Sequence, residues 1–136
     1  MKKLFSFLLV ISIACAASAQ TQIKAVALTT TSYGNALDTV VNTATKVTTT
    51  YKLGGWRNGV TAQAVVTKIS GTVGGSIALQ GSMDGTNWST IGSASTPTDA
   101  TANYSFNTTT AWYYYRISYA GTGTMSASVK CFLMPY

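Results

Sequence analysis

Trp112-Tyr113-Tyr114-Tyr115-Arg116-Ile117-Ser118-Tyr119 is the stretch that decides the fold. Tyr113, Tyr115, Ile117 and Tyr119 alternate with Trp112, Tyr114, Arg116 and Ser118, the two-residue period of a strand with one buried face. Tyr113, Tyr115 and Ile117 are expected in the core. Gly121-Thr122-Gly123 then turns the chain into a second alternating run, 125–134, with Ala127, Val129, Cys131 and Leu133 on one side. Two such runs joined by a Gly-rich turn read as antiparallel strands.

The same period extends toward the N-terminus. Residues 60–70 place Val60, Ala62, Ala64 and Val66 together, and 76–82 place Ile77 and Leu79 together. Asp84-Gly85-Thr86-Asn87 is a turn, with Asp84 as its first residue capping the following amides, and Trp88 to Ile91 return antiparallel. Further strands are predicted at 23–29, 38–42, 45–53 and Tyr104 to Asn107. The 45–53 strand is expected to carry Val47, Thr49, Tyr51 and Leu53 on one face. Gly92 to Asn103, which includes Pro97, reads as a surface loop. Thr and other β-branched or aromatic residues dominate, and helical periodicity is missing. The fold class is therefore all-β: a two-sheet antiparallel β-sandwich, jelly-roll-like or immunoglobulin-like.

The chain has 136 residues, and 1–19 read as a signal peptide. Lys2 and Lys3 precede the apolar run Leu4 to Ile13, and Ala17-Ser18-Ala19 gives a small-x-small cleavage pattern before Gln20. The run is too short for a transmembrane anchor. A competing processing site is Ser12-Ile13-Ala14-Cys15, which resembles a lipobox with Ser12 where Leu is expected. Residues 20–136 are enough for one domain. The expected location is outside the cytoplasm: periplasm, cell surface or extracellular particle.

Composition excludes much chemistry. There is no His and no Glu, and the acids are Asp38, Asp84 and Asp99. Proton transfer mostly uses His, Glu or Asp, so no catalytic residues are assigned and the chain is read as not an enzyme. A Ca²⁺ site from Asp84 and Asn87 would rest on one carboxylate; no metal and no cofactor are assigned. The seven Lys and Arg beyond the leader are scattered rather than clustered, which argues against a nucleic-acid partner. Cys131 is the one cysteine of the mature chain and reads as a buried small hydrophobe.

Function is left to the aromatics. Trp56 beside Arg57, in a loop bracketed by Gly54-Gly55 and Asn58-Gly59, fits an interaction hot spot, with a plug at the sandwich end as the competing reading. Trp112 and Tyr114 face away from Tyr113 and Tyr115, so one of these sets is expected on the surface. Trp56, Arg57, Trp112 and Tyr114 are the candidate partner-binding residues. Trp88 is expected to pack across its hairpin.

The run Ile77-Ala78-Leu79-Gln80-Gly81-Ser82-Met83-Asp84-Gly85-Thr86-Asn87-Trp88, followed by Trp112-Tyr113-Tyr114-Tyr115-Arg116-Ile117, resembles a pattern of small bacteriophage and prophage structural proteins. It is more weakly similar to discoidin-like (coagulation factor 5/8 type C) domains, whose corresponding hairpin is structural. A discoidin domain is longer and opens with a motif absent here, and a leader sets this chain apart from virion proteins assembled in the cytoplasm. Assembly after export would reconcile leader and resemblance. Leader and resemblance together imply a secreted structural or surface interaction module that self-associates or binds other surface or virion proteins. The alternative is a carbohydrate-binding module using Trp and Tyr as platforms for glycans.

Overall fold

The structure is a computed structural model and describes residues 24–26, 39–54 and 58–136. Residues 1–19, expected to be a signal peptide and including Cys15, lie outside the described residues, as do Asp38, Trp56 and Arg57. Ten strands are described: β1 (Lys24–Val26), β2 (Thr39–Val41), β3 (Thr45–Val47), β4 (Tyr51–Lys52), β5 (Val60–Gly71), β6 (Gly75–Ser82), β7 (Ser89–Thr90), β8 (Ala102–Thr108), β9 (Tyr114–Gly121) and β10 (Met125–Pro135). There is no helix among the described residues.

Pairing is antiparallel throughout. One sheet, A, runs β1-β10-β5-β8, with β2 also on β10; the other, B, runs β3-β9-β6-β7, with β4 also on β9. β1 and β2 lie along one edge of β10, opposite 131–133 and 126–128 respectively. β3 and β4 likewise share one edge of β9. Taking each such pair as one interrupted strand leaves eight strands, ordered 1-8-3-6 and 2-7-4-5. That nesting of antiparallel pairs across two sheets is the jelly-roll order. Of the two sandwich types the sequence allows, this is the one adopted.

The alternating residues meet between the sheets. Sheet A contributes Val60, Ala62, Ala64 and Val66 from β5 and Met125, Ala127, Val129, Cys131 and Leu133 from β10. Sheet B contributes Ile77 and Leu79 from β6 and Tyr115, Ile117 and Tyr119 from β9. Small side chains on one sheet leave volume for two tyrosines on the other. Both tyrosine hydroxyls reach the ends of the sandwich. Tyr119 donates to the Gly74 carbonyl at 3.0 Å, and Tyr115 donates to the Thr110 carbonyl at 3.0 Å while accepting the Trp112 amide at 2.8 Å. A buried Tyr is tolerated because its oxygen is satisfied.

Three expectations are corrected. The single strand at 45–53 is two, because one extra residue is inserted: Val47 opposes Ser118, but Tyr51 opposes Tyr115. The insertion flips the alternation, leaving Val47 36 % exposed and Thr49 on the surface while Thr48 turns inward. β9 starts at Tyr114, and Tyr113, expected in the core, is 42 % exposed in the loop before it. The return after the Asp84 turn is shorter than 88–91, with β7 covering Ser89–Thr90 alone.

The β2–β3 turn shows why its sequence suits it. Asn42 has φ 54°, a left-handed conformation that Asn tolerates better than most residues. Its amide donates to the Met125 carbonyl at 2.8 Å, and its side-chain oxygen accepts the Met125 amide at 3.3 Å. The turn that carries the chain from sheet A to sheet B is thus pinned to β10.

Candidate functional site

The outward face of sheet B holds the densest grouping of aromatic and cationic side chains among the described residues. Parity places it there. With Tyr115, Ile117 and Tyr119 inward, Tyr114, Arg116 and Ser118 must point outward, as must Gln80 and Ser82, their neighbours on β6. Trp88, just before β7, and Lys52 on β4, opposite Tyr114, share this face.

Arg116 is held from two sides. Its guanidinium lies 4.0 Å from the centroid of the Trp88 ring, and its Nε–H donates to Gln80 Oε1 at 2.7 Å. Stacking of guanidinium on indole is favourable and fixes the plane of the group. Partial burial lowers the Arg116 pKa from its ordinary value, since desolvation disfavours the cation. Trp88, expected to pack across its hairpin, reaches beyond the partner strand β6 to Arg116 of β9.

Further along the face, Tyr113 and Tyr114 meet edge to face, with centroids 4.7 Å apart and planes at 86°. The Lys52 ammonium sits 4.8 Å from the Tyr113 ring centroid, and Tyr113 raises its pKa by hydrogen bonding and by charge. Arg116, Trp88, Gln80, Tyr114, Tyr113 and Lys52 therefore form one band across three strands and the two adjoining loops.

The four residues singled out from the sequence do not form this band. Trp56 and Arg57 are outside the described residues. Tyr114 is in it. Trp112 has left the strand and turned inward, packing against the core at the end of the sandwich. A Cβ on Gly81 would come 2.5 Å from Trp112 Cγ and 2.8 Å from Ile91 Cδ1. The indole thus occupies the space a side chain at 81 would take, and Trp112 and Tyr114 do not share a face. Trp88, Arg116 and Gln80 were missed as a group. The signal available was the Gln80–Arg116 alternation in β6 and β9, which becomes visible only once the two strands are aligned.

Both described carboxylates are engaged in building loops. Asp84 Oδ1 accepts the amides of Thr86 and Asn87, each at 2.8 Å, and the Ser82 hydroxyl at 2.9 Å; Oδ2 accepts Asn87 Nδ2 at 2.6 Å. These donors hold the Asp84 carboxyl well below the usual carboxylate range, the Asn87 amide contributing most. Asp84 is the turn cap the sequence implied. Asp99 pairs with Lys68 at 2.8 Å and accepts the Val73 amide at 2.7 Å, which lowers its pKa and ties the 92–101 loop to the end of β5.

The outward face of sheet A differs. It carries a shallow hollow of about 230 Å³ lined by Thr61, Gln63, Ser105, Phe132 and Met134, with no charged group among them. Comparison with protein-family models, with curated proteins and with solved structures finds no match to this chain.

Proposed function

We propose that this protein is an exported, non-enzymatic interaction module that assembles with copies of itself or with other surface or virion-type proteins. The observation that carries the reading is the edge of sheet A. β8, Ala102–Thr108, is a seven-residue strand without a charge or a proline, and no strand flanks its outer side among the described residues. Unpaired backbone donors and acceptors along such an edge are a template for another strand, and proteins that must stay apart usually block them with charge. Sparse charge over the rest of the chain supports the same reading. The resemblance of the 77–88 and 112–117 segments to phage structural proteins points the same way, with assembly following export.

Sedimentation across a hundredfold concentration range tests it. Association that weakens in Ser105→Lys plus Asn107→Lys supports the reading; a monomer throughout overturns self-assembly and leaves only assembly with a different protein. The N-terminus of exported material should be Gln20, and lipid on Cys15 would move the processing site there.

A second reading, a carbohydrate-binding module, is favoured by one specific observation: the Trp88, Arg116, Tyr113 and Tyr114 band on sheet B. Aromatic rings beside hydrogen-bonding side chains suit sugars, which have an apolar C–H face and a hydroxyl rim. A glycan array tests it, with reproducible sugar binding lost in Tyr113→Ala as the supporting result.

A further inference from the structure

The two terminal nitrogens of Arg116 carry the observation that reaches furthest. Its Nε–H is committed to Gln80 and its π-face to Trp88. No acceptor is within hydrogen-bonding reach of Nη1 or Nη2 among the described residues, and Lys68–Asp99 is the one ion pair there. Among the described residues this partly buried guanidinium is oriented by Gln80 and Trp88 and pairs with no carboxylate. The fork of N–H groups that remains has the geometry of a carboxylate.

We propose that Arg116 is the anchor of a binding site for acidic polysaccharide, taking the carboxylate of a uronic acid residue in a bidentate contact. The inference rests on the carbohydrate-binding reading and narrows it to a charged substrate class. Surroundings favour a sugar acid over a simple anion. Tyr114 follows Arg116 on the same face, about 7 Å away along the strand, and Tyr113 presents an exposed ring next to it for the C–H face of a pyranose. Lys52, over Tyr113, supplies a second cation for the next carboxylate along a polymer. The Gln80 amide nitrogen, left over from its contact with Arg116, and the Thr90 hydroxyl, on residues opposite each other in β6 and β7, are partners for sugar hydroxyls beside Arg116. A formal net charge of +6 on the full chain, or +4 without the leader, draws a polyanion toward it.

Calorimetric titration of the exported protein with oligogalacturonate, with neutral galactose oligomers of matched length and with poly-glutamate tests the proposal. Oligogalacturonate should bind, and the other two at least about tenfold more weakly. Arg116→Lys keeps the charge but loses the fork, so it should weaken binding by about tenfold while the protein stays folded, with a small drop in thermal stability from the lost Trp88 and Gln80 contacts; Tyr113→Ala, at an exposed position, should weaken binding severalfold. Equal binding of neutral and acidic sugars, or an unaffected Arg116→Lys, would remove the clamp and leave the carbohydrate reading standing. Poly-glutamate binding as tightly as oligogalacturonate would reduce the site to a plain anion patch and overturn the proposal. Binding of none of the three would overturn the proposal, and the glycan array would then decide the reading beneath it.

Discussion

The Thr48 hydroxyl does the work of a main-chain carbonyl for Ile117. Thr48 donates its own amide to the Ile117 carbonyl at 2.9 Å, but the Ile117 amide returns to Thr48 Oγ1, also at 2.9 Å. The inserted residue that separates β3 from β4 pulls the backbone away at this point, and a side-chain oxygen replaces it. Thr48→Val keeps the shape and strands a buried N–H. It should cost about 1–3 kcal/mol in urea unfolding, and Thr48→Ser, which keeps the oxygen, should cost less.

That insertion also shows where the sequence stops being readable. Strands β5, β9 and β10 were legible because apolar residues recur at every second position, so burial of one face fixes the pattern. Between Val47 and Tyr51 lies a run of three threonines, equally acceptable on either face, and an extra residue leaves no trace in it. Tyr113 was misplaced because alternation cannot mark where a strand ends. Trp88 and Arg116 are 28 positions apart, and only sheet order brings them together. Gly81 inside a strand did carry a signal, since glycine there often marks a close approach, but not that Trp112 makes it.

Gly81→Ala should be strongly destabilising despite the better strand propensity of alanine. The new methyl would sit 2.5 Å from Trp112 Cγ and 2.6 Å from Cδ2, atoms near the base of a ring that cannot simply swing clear. Overpacking of this kind costs about 1–3 kcal/mol. Unfolding followed by Trp fluorescence measures it, and the penalty should shrink in a Trp112→Ala background.

Cys131 should be inert in the native state. It is fully buried on β10, opposite Ala64 of β5 in the centre of sheet A. A thiol reagent added to folded protein should label it no faster than the protein unfolds, with full labelling in denaturant. Rapid labelling of the native chain would contradict the packing of sheet A.

Acid should weaken the fold from about pH 4 downward. Asp84 and Asp99 both have pKa values lowered by hydrogen bonds from amides and, for Asp99, first by Lys68. A carboxylate with a depressed folded pKa stabilises fully above its unfolded value, near 3.9, and loses that contribution as pH falls through the folded one. With no His in the chain, stability should be flat from about pH 5 to 8. Denaturant midpoints across pH 1.5–8 check this, and Asp84→Asn should shallow the acid limb.

The alkaline limb runs in the opposite direction and belongs to the core. Burial pushes the Tyr119 phenol up to about 12 and raises that of Tyr115, because ionising either would leave a charge between the sheets. The unfolded chain ionises both near pH 10. A group whose folded pKa is raised contributes fully below its unfolded value and loses that contribution as pH climbs toward the folded one, so stability should fall between about pH 10 and 12. For Tyr119 the loss is about 2–3 kcal/mol at the end of that range. Tyr119→Phe separates this from lysine titration. It sacrifices the hydrogen bond to the Gly74 carbonyl, lowering stability at neutral pH by about 1 kcal/mol. Yet it should lose less than the wild type between pH 10 and 12, so the wild-type curve falls to meet that of the variant and drops below it before pH 12. Curves that stay parallel would mean the Tyr119 hydroxyl is wetter than its place at the end of the sandwich allows.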